Sequence, residues 1–255
     1  MSMERRRNRF RDSTSNLVDD KLEKKRRKIV DEFYETEKAY VDGLELIYSV
    51  RRNSLFASRH LISLQHFLTP IIVSLDTSEP LLDRSTLTSI FSNFIDIWNL
   101  HRSFLSSLTS LVKPVDIPSS SSTPSSTTVA TPNLSPLLLA HFPYLSLYTP
   151  FVTSFPATIS ALTELVTAPS STRPNPQYNA NFANFLSTQE ADPRCGKLKL
   201  RDWLLTIVQR CPRYLLLLKD LINNTSRDDP EHAQLTAVHT LVSKSKLFLC
   251  FGLSN

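Results

Sequence analysis

The chain has 255 residues, 41% of them hydrophobic, enough apolar material to build a sizeable core in one large or two small domains. Three glycines are too few for the tight turns of most sheet architectures, and the sixteen prolines gather in segments that read as loops, so an all-α protein is expected. The formal charge of +5 is uneven: residues 1–28 hold eleven Lys/Arg against five Asp/Glu, and the remainder is close to neutral.

No apolar run reaches the length of a membrane span, and the basic N-terminus is not followed by the apolar stretch of a signal peptide. A cytoplasmic protein, recruitable to a membrane, is expected. Residues 1–20 read as a disordered basic leader. The runs Arg5–Arg7 and Lys24–Lys28 could contact anionic membrane, nucleic acid or a nuclear import receptor, or could simply be solvated. Phe10 is the only aromatic among these charges, so no nucleic-acid partner is expected.

The first helix is predicted from about Lys21 to Arg52. Ile29, Phe33, Tyr40, Leu44 and Ile47 form its apolar stripe, and Glu32, Thr36, Ala39 and Gly43 form a neighbouring line that is small apart from one carboxylate. By periodicity alone that line lets another helix pack closely, with Glu32 an ordinary exposed glutamate. Helices are predicted next at about Leu55–Leu75 and Ser85–Val112, on either side of the turn-like Asp76–Pro80. Ile90, Phe94, Ile97, Phe104, Leu105 and Leu108 sit at helical spacing with Trp98 and read as core.

Composition then changes. A flexible Ser/Thr/Pro insertion is predicted at about 113–136, with too little apolar content to fold. The helices after it, about Leu137–Tyr148 and Phe151–Val166, are too few for a core of their own, so it reads as an insertion within one domain of residues 21–250. A loop is predicted at about 168–177, a helix at about Tyr178–Gln189, a long helix over Lys197–Asn224, and a last helix to about Leu249. The last opens at Asp228-Asp229-Pro230-Glu231, with proline at its first position and acid nearby. Residues 251–255 are read as a tail.

Cys195, Cys211 and Cys250 lack metal-ligand spacing and the density of a disulfide scaffold, and read as reduced thiols. The six histidines are scattered, and H-E-x-x-H, G-x-S-x-G and glycine-rich phosphate loops are missing. No covalent enzymology, metal or cofactor is expected.

Residues 197–224, KLKLRDWLLTIVQRCPRYLLLLKDLINN, are the most informative stretch. Leu204, Val208, Cys211, Leu215, Leu218 and Ile222 alternate spacings of four and three, which marks one buried helix face. Pro212 sits inside the helix at a cost of roughly 3 kcal/mol, among Gln209, Arg210 and Arg213. Such a bend needs a reason other than packing.

This segment resembles the third conserved region of the Dbl-homology (DH) domain, the exchange-factor module for Rho-family GTPases. Residues 28–41, KIVDEFYETEKAYV, resemble the first conserved region of the same family through Glu32, Thr36, Glu37, Tyr40 and Val41. The resemblance spans roughly residues 24–250. It implies an elongated bundle of about six helices that binds a Rho-family small GTPase, Rho, Rac or a relative, remodels its switch regions and promotes GDP release. On this resemblance the protein is a GTPase regulator. The GTPase-binding residues implied are Glu32 and Thr36 on the first helix, Thr206, Gln209, Arg210 and Lys219 on the signature helix, and Ser243 on the last, with Arg210 open to a buried structural role. Trp203 and Tyr214 read as packing residues, and one or two of Leu215–Leu218 as partner contacts.

Two positions depart from the family pattern: many members carry lysine where Thr206 stands and asparagine where Ser243 stands. These departures point to an alternative, an exchange-inactive adaptor or scaffold that binds GTPases or membrane. Residues 246–255 also depart from the family's usual ending of the last helix. The pleckstrin-homology domain that commonly follows is not expected within this chain.

Overall fold

Between Met3 and Tyr48 the chain has no proline and one glycine, and it forms a single helix, α1 (Met3–Tyr48). The computed structural model describes residues 3–48, 67–113 and 131–244, with side chains from Asp20 onward in α1. The helix begins well before the expected Lys21, because the arginine-rich leader contains good helix formers and no breaker. It ends at Tyr48, short of the expected Arg52, and residues 49–66 lie outside the described residues.

The described residues are all-α. The helix expected at Leu55–Leu75 is described only as α2 (Leu68–Ser74). The single helix expected over Ser85–Val112 is two, α3 (Arg84–Phe91) and α4 (Phe94–Val112). Asp83 caps α3 by accepting from the Thr86 N–H. The break falls at Ser92, whose φ of 45° is a positive value that residues with a β-carbon rarely adopt. Asn93 Nδ2 donates to the Leu147 carbonyl at 2.6 Å, an attachment that periodicity does not register.

Then come α5 (Ser135–His141), a 3₁₀ turn over Phe142–Leu147, α6 (Tyr148–Val166), α7 (Ala180–Glu190), α8 (Leu200–Asn223) and α9 (Pro230–Lys244). The described residues thus hold nine α-helices, one more than the ranges read from the sequence, because the helix expected over Ser85–Val112 divides. The loop expected at 168–177 is irregular, and Asn175 Nδ2 donates to the carbonyls of Glu164 and Thr167. The last helix is described to Lys244; the expected continuation to Leu249 and the 251–255 tail lie outside the described residues.

The chain divides into two compact units. The first comprises Met1–Lys38, Ser103–Tyr144 and Pro212–Lys244, and the second Ala39–Arg102, Leu145–Cys211 and Ser245–Asn255. Neither is continuous in sequence, and the Ser/Thr/Pro run falls within the bounds of the first. Residues 114–130 of that run lie outside the described residues.

In the first unit Phe33 is fully buried, its ring stacked on Tyr214 at 5.7 Å and set edge-on to Phe104 at 6.5 Å. The Tyr214 hydroxyl donates to the carboxylate of Glu37, itself buried. A second polar cluster surrounds Arg26, also buried, which pairs with buried Glu231 of α9. Its guanidinium donates to the Thr131 carbonyl at 3.2 Å, while Glu231 accepts from the Ser135 N–H at 3.1 Å. Glu23 accepts from the Thr131 N–H at 2.7 Å. Residues 131–136, expected to belong to the flexible insertion, are therefore held by α1 and α9 and lead directly into α5. Their apolar content is low, and it is charged side chains distant in sequence that hold them.

In the second unit the Tyr40 hydroxyl meets that of Tyr148 at 2.8 Å, and the latter meets His101 Nε2 at 2.6 Å. Trp98 packs on Tyr48 at 4.5 Å, in agreement with its reading as core. Gly43 faces the indole of Trp203, and a β-carbon there would lie 2.9 Å from the ring. Gly43→Ala should therefore destabilise the protein by about 1–3 kcal/mol through overpacking, less the helix-propensity gain of about 1 kcal/mol. The check is the unfolding midpoint in urea, where a higher midpoint for Gly43→Ala would mean that the indole moves away freely.

Candidate functional site

Helix α8 runs from Leu200 to Asn223. Of the face expected inside, Leu204, Val208, Cys211 and Leu218 are buried and Leu215 and Ile222 half-buried. Ile207, Arg210, Tyr214, Leu217 and Leu221 are buried as well, so the packed surface is wider than one stripe. The helix continues through Pro212. Burial pushes the Cys211 thiol up to about 12, against a nearby Arg210 charge that lowers it. Iodoacetamide at about pH 8 should therefore leave Cys211 unmodified in the folded protein and label it after unfolding in urea. The sign follows from the raised value: at alkaline pH the unfolded thiol ionises first, so stability contributed by Cys211 falls as pH rises through the ordinary thiol range. Labelling of Cys211 at equal rates in folded and unfolded protein would contradict this burial.

In the first unit, Glu32 of α1 is exposed and its Oε1 accepts from Arg213 Nη2 of α8 at 2.6 Å. The two side chains are 50% and 47% exposed, so this carboxylate is oriented yet open to solvent. Thr36, one turn on, is half-buried and donates to the Phe33 carbonyl at 3.3 Å. Lys219 is exposed on α8, and Ser243 on α9 is exposed with its hydroxyl turned to the Thr240 carbonyl at 3.1 Å. Of the four consecutive leucines, Leu217 and Leu218 are buried and Leu215 half-buried, whereas Leu216 is 59% exposed between Arg213 and Lys219. It is the member available to a partner.

In the second unit, Gln209 is exposed and Thr206 half-buried, the Thr206 hydroxyl donating to the Trp203 carbonyl at 2.6 Å. Arg210 corrects the expectation of a surface contact. It is 5% exposed, and its guanidinium lies 5.0 Å from the Tyr40 ring centroid. A planar, weakly hydrated cation on an aromatic face is a stable buried arrangement, and it leaves little of Arg210 open to a partner. Tyr214 is fully buried, and Trp203, half-buried, packs against Gly43, so both serve packing as expected.

Arg213 is the residue that sequence reasoning noticed but did not assign. Its one signal was its place a helical turn beyond Gln209; its partner Glu32 is distant in sequence and invisible to periodicity. Chemically, this part of the first unit offers a fixed carboxylate, flanking cations and an exposed leucine. It suits a protein surface presenting backbone donors and apolar side chains.

A family model described as "RhoGEF domain" matches residues 29–246. Among curated proteins, the chain is 26% identical over 215 residues to FYVE, RhoGEF and PH domain-containing protein 3 of Mus musculus, covering 84% of this chain and 24% of that protein. It is 27% identical over 212 residues to Guanine exchange factor for Rac 30 of Dictyostelium discoideum, covering 83% and 10%. The chain thus spans a quarter or less of these relatives' length. Among solved structures, the DH/PH domains of p115-RhoGEF (R399E mutant) share the fold with a TM-score of 0.68 and 19% identity, covering 91% of this chain and 56% of that one. The PDZ-RhoGEF DH/PH domains, solved in complex with GTP-gamma-S activated RhoA, match with a TM-score of 0.64 and 18% identity, covering 91% and 54%.

Proposed function

Because the chain belongs to the RhoGEF domain family, we propose that it is a cytoplasmic guanine-nucleotide exchange factor that binds a Rho-family small GTPase and promotes GDP release. The observation that carries this reading is the exposed Glu32 carboxylate, held at 2.6 Å by Arg213 in the first unit. An exchange factor works by differential binding: it holds the nucleotide-free GTPase more tightly than the nucleotide-bound form, and linkage requires that the nucleotide be bound correspondingly more weakly. No nucleophile or proton transfer enters.

Glu32 accepts hydrogen bonds from the backbone of a rearranged switch segment, and charge on the carboxylate makes those bonds stronger than neutral ones. Arg213 orients the carboxylate beforehand and reduces the entropy lost on docking. Leu216 supplies apolar contact, and Thr36, Lys219 and Ser243 are candidate contacts around it. In the second unit Gln209 is the exposed polar candidate, with Thr206 half-buried beside the Trp203 turn.

A second reading, an exchange-inactive adaptor, is favoured by Thr206 and Ser243. Both hydroxyls are directed to carbonyls of their own helix, at 2.6 and 3.1 Å, and neither side chain supplies the long donor that many family members carry there. The deciding experiment measures release of fluorescent GDP from a panel of Rho and Rac GTPases. Accelerated release supports exchange. Tight binding to nucleotide-free GTPase with no acceleration selects the adaptor, and neither effect across the panel removes both readings.

A further inference from the structure

Four exposed lysines of α1, Lys21, Lys24, Lys25 and Lys28, fall at i, i+3, i+4 and i+7 and so share one face of the helix. Of the other charges in this stretch, Arg26 is buried, and Glu23 and Arg27 are exposed on other faces of the helix. Glu23 accepts from the Thr131 N–H at 2.7 Å, and Arg26 is buried against Glu231. None of the four lysines forms an ion pair among the described residues. The face therefore carries four positive charges without an ion pair among the described residues, and Glu23, the one acid of residues 21–28, is engaged by the Thr131 N–H on another face.

We propose that this lysine face docks the protein on an anionic phospholipid surface. Flexible, strongly hydrated ammonium groups in a row suit a laterally mobile layer of anionic headgroups, which can rearrange beneath them without fixed geometry. Nucleic acid is the less fitting occupant: the row has no aromatic side chain for base stacking and no guanidinium free to fork onto a phosphate or base edge. Four lysines reach the lower bound of the cluster size that gives useful attraction to anionic membrane. The same helical line continues to Glu32 one turn after Lys28, so docking through the lysines would orient the proposed exchange surface relative to the membrane. The membrane proposal itself does not depend on the exchange reading.

The test is co-sedimentation of the full chain with vesicles of phosphatidylcholine, with and without phosphatidylserine. Binding is expected only with phosphatidylserine, weakening as salt is raised. Each Lys→Gln change in this row should lower the partition coefficient about fivefold, equivalent to ~1 kcal/mol, and K21Q/K24Q/K25Q/K28Q should lower it several hundredfold. The charge-preserving K21R/K24R/K25R/K28R should bind as the parent does, and unchanged unfolding midpoints show that both variants are folded. Equal sedimentation with and without phosphatidylserine would overturn the proposal. So would parental binding by the glutamine variant, or displacement from phosphatidylserine vesicles by stoichiometric duplex oligonucleotide.

Discussion

Glu32→Ala is expected to reduce acceleration of GDP release about thirtyfold or more, with the unfolding temperature lowered by no more than about 4 °C. The two effects separate because Glu32 has different value in the two settings. In the free protein its pair with Arg213 is half-exposed, each side chain having close to half its surface in water. Such pairs contribute about 0–1 kcal/mol, and a protein of this size loses about 2–4 °C per kcal/mol. Docked against a partner, the carboxylate leaves water and takes hydrogen bonds from groups that are then buried. Truncating it costs about 2–5 kcal/mol, because those donors are left unsatisfied.

Arg213→Ala should show a smaller loss than Glu32→Ala, and Arg213→Lys should recover part of it, since an ammonium keeps the charge but not the planar fork. The measurement is the rate of fluorescent GDP release at several concentrations of each variant, alongside thermal unfolding. Exchange at the parental rate by Glu32→Ala would remove Glu32 from the mechanism.

The largest stability effect is expected at Arg26, less than two helical turns before Glu32 on α1 but buried. Its guanidinium is buried against Glu231 and also serves the Thr131 carbonyl at 3.2 Å and Asn133 Oδ1 at 3.4 Å. Arg26→Ala leaves the Glu231 carboxylate buried without its cation, at a cost of about 3–5 kcal/mol, or roughly 6–20 °C in unfolding temperature. It also releases the carbonyls that hold residues 131–133 against α1. The double variant Arg26→Met/Glu231→Leu should recover most of the loss, because removing both charges removes the desolvation penalty as well. Thermal unfolding followed by circular dichroism gives both values. A double variant no more stable than Arg26→Ala would show that the lost packing of the arginine stem, and not the orphaned charge, sets the cost.

Much of the helical layout can be read from the chain, and for a simple reason. Helices such as α8 and α4 bury broad apolar faces, and the 3.6-residue period records burial directly. What it does not record is where a helix stops when the stop comes from elsewhere. The break at Ser92 lies inside an apolar periodic stretch and coincides with the Asn93 bond to the Leu147 carbonyl, a partner remote in sequence. The continuation of α1 back to Met3 is hidden for a different reason: charge density reads as disorder, whereas arginine is a good helix former.

The candidate site divides along the same line. Sequence alone determined the all-α class, the two family motifs, the core role of Tyr214 and the presence of Glu32 on a polar line of the first helix. Those features are local, resting on residue identities and spacings within one helix. Only the tertiary structure decided that Arg210 is buried on Tyr40 while Arg213 reaches Glu32. Two arginines three positions apart have the same charge and nearly the same helical phase, so the pattern treats them alike. The assignment depends on which groups the neighbouring helix presents to each of them, an aromatic face in one case and a carboxylate in the other. Residues 131–135 were likewise decided from outside, by Arg26, Glu23 and Glu231.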